Sequence, residues 1–358
     1  MKDVRLLKII HTADLHLDSR LETNLDSSKA KKRRRELILS FENIVGFARR
    51  EKVRLFIIAG DMFDHKKVTP DTVKTVASII SDASEIDFLI LLGNHDENNP
   101  FSNIPELPSN LKIFSDIWEY HNYDNVTVAG IQISELNKNV IYSSLSLSPE
   151  RYNIAVLHGD IQNEISLSSL KGKNIDYLAL GHIHEHSEGI LDERGKYAYC
   201  GCLESRGFDE SGIKGFYLLD TESREAQFVS GFSVRNMFEI EVDISGKNDY
   251  GEIKSAVSCA LIENGVKEGD MVKIVLTGTY TLDTNKDTAQ LLTYLQNTFF
   301  FAKLKDKSKI KIDAENYKND LSLKGEFVRN VLGSELSDAE KDAAILYGIY
   351  ALRGEELN

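Results

Sequence analysis

Five short polar clusters, each directly after an apolar stretch of chain, carry the residue types that bind metal ions. Residues two apart in an extended segment project to the same side, so Asp14 and His16 can share one ion, as can His182 and His184. A set of Asp, Asn and His without thiolates favours manganese or iron over a structural tetrahedral zinc. The clusters are Asp14/His16, Asp61/Asp64/His65, Asn94/His95/Asp96, His158/Asp160 and His182/His184.

Together the clusters hold more ligands than one ion accepts, so the sequence predicts two divalent ions. A pair of ions about 3.5–4 Å apart, bridged by a carboxylate and a hydroxide, promotes in-line displacement at phosphorus because it generates the nucleophile and neutralises developing charge. Each cluster alone has a structural explanation, such as a helix cap or a core histidine. Clusters at five successive strand ends share no such explanation. A further histidine, His186, falls outside the pattern, and we predict that it does not bind metal.

The elements that must position these clusters alternate between strands and helices. Apolar strands in "RLLKIIH", "VRLFIIAGD" and "IDFLILLGNHD" are separated by helical periodicity in "ELILSFENIVGFARREK" and over residues 70–83. This β-α-β-α-β pattern indicates a sheet buried on both faces, with its site at the carboxyl ends of the strands. Shorter strands from residue 126 onward predict a second sheet packed on the first.

The predicted fold class is α/β (α+β in some schemes), a two-sheet β-sandwich flanked by helices. We predict that residues 1–233 form the domain with the polar clusters, residues 234–316 a small α+β domain, and residues 317–358 a helical segment. The terminal helices present an apolar face that needs a partner inside or outside the chain.

The charge balance limits how the chain can contact nucleic acid. Its formal net charge of −13 argues against nonspecific coating, because phosphate binding draws on Lys and Arg. Any such contact must be local, and the candidate is the basic stretch Lys29–Arg35, where six of seven residues are basic. A solvated loop and helix start is the alternative. The candidate DNA contacts are Lys31, Lys32, Arg33, Arg34 and Arg35.

The amino terminus bears on the location of the protein. Its apolar run meets Asp14 and His16 too soon for a signal peptide or a membrane span. We therefore predict a cytoplasmic protein without a membrane partner.

The order D-x-H, G-D-x-x-D, G-N-H-D, H-G-D and G-H-x-H resembles the calcineurin-like metallophosphoesterase superfamily. Within it, "HTADLHLD", "AGDMFD" and "LLGNHD" are most similar to the SbcD-like DNA repair exonucleases, nearest to the shorter bacterial YhaO-like branch. The resemblance is strong over residues 5–232, weaker in the small domain and only general in the terminal helices. It implies a double β-sandwich flanked by helices, followed by a capping domain over residues 234–316.

The resemblance also implies a role for each site residue. His95 would orient the phosphate and protonate the leaving oxygen, and Asp96 would orient His95. Some archaeal and eukaryotic relatives carry a second catalytic histidine three residues after the bridging aspartate, where this sequence has Asp64. We therefore expect Asp64 to contact the metal-ligating side chains without binding a metal itself. We expect His65 to contact substrate DNA. The implied ligands are Asp14, His16 and His184 for one ion, Asn94, His158 and His182 for the other, and Asp61 as the bridge.

The function implied by the resemblance is a metal-dependent DNA nuclease in DNA repair, a 3′-to-5′ exonuclease with some single-strand endonuclease activity. The implied metal is Mn²⁺, with Fe²⁺ or Mg²⁺ as alternatives. The implied partners are DNA, an SbcC-like coiled-coil ABC ATPase bound through the terminal helices, and a second copy of the chain.

Two other functions compete with this one. The first is a small-nucleotide phosphodiesterase or a phosphomonoesterase on the same fold. Protein phosphatases of the superfamily carry an arginine in G-D-x-V-D-R-G, whereas this chain reads "GDMFDHK", which counts against that subclass. The second is a non-enzymatic scaffold for the ATPase, which seven intact ligand positions disfavour.

Overall fold

The chain divides into two compact units, Met1–Asn236 and Met237–Asn358. The predicted division into three segments, with boundaries after residues 233 and 316, stays a prediction, as does the cytoplasmic location. Within the described part of the chain, no helix has both the length and the apolar character needed to cross a membrane. The computed structural model describes residues 7–21, 25–64, 68–96, 99–281, 284–311 and 317–353.

Six strands form the first sheet of the amino-terminal unit. They are β1 (Lys8–Thr12), β2 (Leu55–Ala59), β3 (Asp87–Leu91), β4 (Leu111–Ile113), β11 (Gly215–Asp220) and β12 (Glu225–Ser230). Their order across the sheet is β12-β11-β1-β2-β3-β4. Strands β1 to β4 pair in parallel, and β11 and β12 add antiparallel strands beside β1. The carboxyl ends of β1, β2 and β3 therefore lie side by side.

The second sheet also has six strands. They are β5 (Glu119–Tyr123), β6 (Val126–Gly130), β7 (Tyr152–His158), β8 (Tyr177–Gly181), β9 (Ser187–Ile190) and β10 (Lys196–Tyr199). Their order is β5-β6-β7-β8-β10-β9, parallel in the centre and antiparallel at both edges. This sheet contributes the carboxyl ends of β7 and β8 to the site.

The two sheets pack face to face around one cluster of fully buried side chains. Ile9 and Leu55 of the first sheet belong to the same cluster as Val128 and Ile154 of the second. Helices cover the outer faces, where they bury further apolar side chains. This arrangement confirms the predicted sandwich flanked by helices. The helices are α1 (Ser27–Arg50) and α2 (Pro70–Asp82) on the first sheet, and α3 (Ile141–Ser144) and α4 (Leu167–Leu170) on the second.

Helix α1 begins earlier than its apolar periodicity alone indicates. The side chain of Asp26 accepts a hydrogen bond from the backbone N–H of Lys29 and caps the helix. Leu37, Phe41 and Ile44 recur at helical spacing on its buried face. The basic stretch therefore lies within the first turns of α1 rather than in a loop.

The carboxy-terminal unit is a small α+β structure. Its three-stranded parallel sheet buries apolar side chains against two helices, and two further helices pack around Val328 and Ile345. The sheet consists of β13 (Met237–Asp243), β14 (Met271–Thr277) and β16 (Phe301–Asp306), with a short pair β15 (Thr279–Tyr280) and β17 (Lys309–Ile310). The helices are α5 (Tyr250–Glu263), α6 (Thr288–Thr298), α7 (Leu323–Leu332) and α8 (Asp338–Arg353).

Candidate metal centre

The carboxyl ends of five parallel strands bring the seven predicted metal ligands together. The backbone N–H of His182 lies 3.0 Å from each carboxylate oxygen of Asp14, which joins the loop after β1 to the loop after β8. The two sheets of the sandwich thus share the site. Asp14 and His16 follow β1, Asp61 follows β2, Asn94 follows β3, His158 ends β7, and His182 and His184 follow β8.

Among the described residues, three groups of ligand atoms lie close enough together to hold a cation each. They are Asp14, His16 and His184; Asp14, Asp61 and His158; and His16, Asp64 and His95, with the atoms of each group within 4.8 Å of one another. Oδ2 of Asp61 is 3.4 Å from Nε2 of His158 and 3.9 Å from Nε2 of His16, so Asp61 lies near one predicted ligand of each ion.

The ligands predicted for the second ion also converge. Oδ1 of Asn94 is 3.0 Å from Nε2 of His158. The rings of His158 and His182 meet edge to face with centroids 5.4 Å apart. All three therefore lie together, and His158 brings them next to Asp61.

The hydrogen-bonding chemistry of these atoms fits bound cations. Nε2 of His16 and Nε2 of His184 face each other at 3.0 Å, where two lone pairs repel unless a proton or a metal ion lies between them. Nδ1 of His158 is 2.9 Å from the carbonyl oxygen of Ala59, which only accepts hydrogen bonds. The ring must therefore donate from Nδ1, so Nε2, which faces Asn94 and Asp61, is the atom that binds a cation once its proton is displaced.

The backbone at the ligands is held in conformations that few residues adopt. Asp14, His16, Asp61 and His182 have φ values of 52°, 44°, 49° and 105°. Non-glycine residues at positive φ cost about 1–3 kcal/mol each and persist where the surrounding structure enforces them, most often at functional sites. Close packing adds to this constraint, because a Cβ at Gly60 would lie 2.0 Å from Nδ1 of His158.

Burial and mutual charge shift the ionisation of the central ligands. Burial raises the pKa of Asp14 to about 7 despite the nearby His158. Burial also opposes ionisation of Asp61, but hydrogen bonds from His158 and from the His95 backbone hold its pKa to about 2. For His158, burial acts to lower the pKa, and the hydrogen bond to Asp61 with the charge of Asp14 outweighs it and raises the pKa to about 9. The ionisation of Asp14, Asp61 and His158 is therefore governed by their burial beside one another.

His95 lies at the mouth of the site. Its side chain is 43% exposed, and its ring meets that of His16 edge to face at 5.1 Å. Its backbone N–H donates to Oδ1 of Asp61 at 2.9 Å, and its Nδ1 is 3.6 Å from Oδ1 of Asp64. The ring is thus accessible to a substrate while its loop is fixed to a predicted ligand.

Asp96 has different partners from those we expected. The prediction that it orients His95 is corrected by its contacts, because its carboxylate accepts hydrogen bonds from the backbone N–H groups of Met62, Phe63 and Gly93 at 2.8–3.1 Å. Burial raises its pKa to about 6 in spite of these donors. Asp96 therefore joins the loops after β2 and β3 and supports His95 only indirectly.

Two residues at the site, Arg206 and Glu210, escaped the sequence analysis. Oε1 of Glu210 lies 2.8 Å from Nδ1 of His184, and Arg206 contacts both Glu210 and Asp64. They lie in a polar segment after β10, whereas the motifs we followed all directly succeed an apolar strand. Charged residues at Glu204, Arg206 and Glu210 within seven residues were the only available signal.

The basic stretch divides into exposed and buried residues. Lys31, Lys32 and Arg35 are exposed on α1, and Arg34 is half-buried and donates to the carbonyl oxygen of Arg20. Arg33 is fully buried and donates to Glu36 at 2.8 Å and to Glu204 at 3.1 Å. The prediction that Arg33 contacts DNA is therefore wrong, because its guanidinium binds carboxylates inside the protein. The predicted contact His65 lies outside the described residues.

A cavity of about 590 Å³ opens beside the second group of ligands. It adjoins Asn94, His158 and His182, and Lys138 and Asn163 lie on its wall. Its wall carries both polar and apolar side chains, and its size is within the range of small-molecule sites.

The sequence of residues 7–186, half of the 358-residue chain, matches the family described as calcineurin-like phosphoesterase. The chain belongs to this family. It is accordingly a phosphoester hydrolase with a divalent-metal centre, and the clusters around Asp14, Asp61 and His158 lie within or beside the matched residues.

Individual proteins and one solved structure are also similar to the chain. The chain is 26% identical over 300 residues to the DNA double-strand break repair protein Mre11 of Saccharolobus solfataricus, covering 76% of each chain. It is 26% identical over 242 residues to the uncharacterized metallophosphoesterase YhaO of Bacillus subtilis, covering 62% of this chain and 59% of that protein. A crystal structure of TT1561 from Thermus thermophilus aligns with a TM-score of 0.43 at 13% identity, over 63% of this chain and 99% of that one.

Proposed function

We propose that this protein is a two-metal nuclease that hydrolyses phosphodiester bonds in DNA. The observation that carries the proposal is the similarity to a DNA double-strand break repair protein over 76% of the chain, which is more than the family match alone covers. The position of Asp61 near one predicted ligand of each ion supports the same chemistry.

Seven residues would hold the two ions. When bound, divalent ions act as Lewis acids toward the phosphate and the attacking water. The carboxylates of Asp14 and Asp61 would supply negative charge to the ions, and because Nδ1 of His158 donates to Ala59, its Nε2 is the atom that would bind. We assign Asp14, His16 and His184 to one ion, Asn94, His158 and His182 to the other, and Asp61 to both.

We assign the leaving group to His95. Its imidazolium donates a proton to the oxygen that departs from phosphorus, a role suited to a histidine near neutral pH. Asp64, 3.6 Å from Nδ1 of His95, stabilises the positive charge of the ring, and the exposed position of the ring gives it access to the substrate. The hydrogen bond from the His95 backbone to Asp61 holds this proton-donating residue beside the metal centre.

The proposal also covers the identity of the metal, the direction of DNA digestion and the partners of the protein. We propose Mn²⁺ as the metal, 3′-to-5′ exonuclease and single-strand endonuclease activities in DNA repair, and a homodimer. We also propose that an SbcC-like coiled-coil ABC ATPase binds the terminal helices. Leu323 of α7 and Tyr347 of α8 are 68% and 60% exposed, which leaves apolar surface for such a partner to cover.

A small-nucleotide phosphodiesterase or a phosphomonoesterase is the second candidate. The cavity beside Asn94 and His158 is large enough for a nucleotide, and the net charge of −13 suits a small substrate at least as well as long DNA. The metal centre would be the same in both cases.

One experiment separates the candidates. Purified protein with Mn²⁺ is given labelled duplex DNA, single-stranded DNA, a phosphomonoester and a cyclic dinucleotide in parallel reactions. We expect both DNA substrates to be cleaved, with degradation beginning at 3′ ends. Brisk hydrolysis of the monoester or the cyclic dinucleotide without cleavage of either DNA would overturn the proposal.

A further inference from the structure

We propose that Glu210, Arg206 and Asp64 form a positioning chain that orients two predicted metal ligands, His184 and His16, and the proposed proton donor His95. This inference rests on the proposed metal-binding function. It assigns positioning roles to two residues, Glu210 and Arg206, that belong to none of the five polar clusters. It also explains why Asp64 lies beside the site.

The positioning chain begins with the contact between Glu210 and His184. Oε1 of Glu210 lies 2.8 Å from Nδ1 of His184, and an ionised carboxylate can only accept, so the ring donates from Nδ1. Nη2 of Arg206 is also 3.2 Å from Nδ1, but a nitrogen that carries hydrogen cannot accept from it, so the Glu210 contact determines the tautomer. Nε2 of His184 is left to face His16 and the ion. Carboxylate partners of this kind hold a ligand ring and raise its basicity.

Arg206 joins Glu210 to Asp64. Its Nε and Nη2 donate to Glu210 at 3.1 and 2.7 Å, and its Nη1 donates to Oδ1 of Asp64 at 2.8 Å. Its backbone N–H donates to Glu210 at 2.8 Å as well. All three guanidinium nitrogens thus contact carboxylates, which assigns Arg206 to holding the two acids rather than to binding the substrate phosphate.

Asp64 is the last member of the positioning chain. Its Oδ1 is 3.1 Å from Nδ1 of His16, an ion-pair distance outside hydrogen-bond geometry, and 3.6 Å from Nδ1 of His95. Its Oδ2 accepts from the hydroxyl of Ser19 at 2.8 Å, which fixes the carboxylate. One aspartate therefore faces the Nδ1 edges of both rings, so that their Nε2 edges point away from it.

The segment that carries Arg206 and Glu210 is itself anchored in the protein interior. Glu204 is buried and accepts from Arg33 and Ser40 of α1. The hydroxyl of Ser205 donates to the carbonyl oxygen of Glu210 at 2.8 Å. These contacts restrict the segment on both sides of Arg206, as a positioning role requires.

The test is calorimetric titration of the full chain with Mn²⁺, in which no nucleic acid is present. Glu210→Gln keeps the size of the side chain and removes its charge. We expect one of the two Mn²⁺ sites to weaken by about 10–100-fold in Kd while the other keeps its native Kd. Asp209→Asn makes the same chemical change at the exposed neighbouring position and is expected to bind both ions as the native protein does. Native Kd values at both sites of Glu210→Gln would overturn the proposal.

Arg206→Lys tests the link between Glu210 and Asp64. It also keeps the proposal testable if the Glu210→Gln protein does not fold. Lysine keeps the charge but cannot bind two carboxylates in fork geometry. We expect weaker Mn²⁺ binding and, at saturating Mn²⁺, a lower kcat on a small chromogenic diester with an unchanged KM. A higher KM with unchanged kcat and unchanged metal affinity would instead make Arg206 a substrate-binding residue. Because the titration needs no DNA, loss of the nuclease hypothesis would leave this test intact.

Discussion

The ring of His186 stacks on the ring of Phe228, with centroids 4.2 Å apart and planes inclined by 16°. Phe228 belongs to β12 of the first sheet, whereas His184 lies in the group with Asp14 and His16, and the ring of His182 meets that of His158. The chain turns between the end of β8 at Gly181 and the start of β9 at Ser187. Three histidines at alternate positions therefore include two predicted ligands and one packing residue.

Metal content distinguishes these histidines. We expect His184→Ala to retain about one divalent ion per chain, because it removes a ligand from the group with Asp14 and His16. We expect His186→Ala to retain the native two, because its ring contacts Phe228 instead. Elemental analysis of protein dialysed against Mn²⁺ provides the count, and equal losses in the two variants would contradict the assignment.

Turnover tests His95 as the proton donor. His95→Gln should lower kcat by about 10²–10⁴-fold, the usual range for loss of a general acid. Its metal content should stay at two ions, because His95 is not a predicted ligand of either ion, and a loss of metal would instead assign a cation to the group of His16, Asp64 and His95. Rates on a small diester at saturating Mn²⁺ provide the measurement. Native turnover in this variant would remove His95 from the mechanism.

The exposed residues of the basic stretch are predicted to bind DNA backbone. Replacing Lys31, Lys32 and Arg35 together by glutamine should slow cleavage of long DNA and flatten its dependence on salt, because fewer counterions are released on binding. Hydrolysis of a small chromogenic diester should stay at the native rate. Arg33 is left unchanged because it is buried against Glu36 and Glu204. An equal fall in both activities would show that the stretch does not act through DNA.

Manganese binding should strengthen as the pH rises. Burial lowers the pKa of His158, but Asp61 and Asp14 outweigh it and raise that pKa from 6.5 to about 9, so the ring holds a proton that the ion must displace. The fraction of protonated ring falls as the pH approaches about 9, and the apparent Kd should fall with it, by up to about tenfold per pH unit for one displaced proton. Calorimetry in buffers of different ionisation enthalpy measures the released protons. A Kd independent of pH over this range would contradict the prediction.

The sequence predicted the double sandwich and the meeting of the polar clusters because both follow from short-range pattern. Strands such as β2 are apolar throughout, and a ligand directly after a parallel strand must lie at the carboxyl edge. The convergence of Asp14 with His184, 170 residues later in the chain, follows from that rule without any knowledge of the loops.

The residues that the sequence did not explain depend on loop paths and on burial. Arg33 differs from Arg34 and Arg35 only in the face of α1 that it occupies, and its carboxylate partner Glu204 lies 171 residues away. Arg206 and Glu210 reach His184 and Asp64 through an irregular segment that has no periodicity to follow. Asp96 was assigned to its neighbour in sequence, whereas its hydrogen bonds include the backbone after β2.

The buried charges of α1 decide where the amino-terminal unit can be shortened. Arg235 donates to Glu36, and the backbone N–H of Val234 donates to Glu204. Two residues just past the predicted boundary at 233 therefore bind buried carboxylates of this unit. A protein ending at residue 233 would leave Glu36 with one arginine instead of two. We therefore expect a version of this unit that ends at residue 236 to be more stable than one that ends at residue 233, because it keeps both contacts.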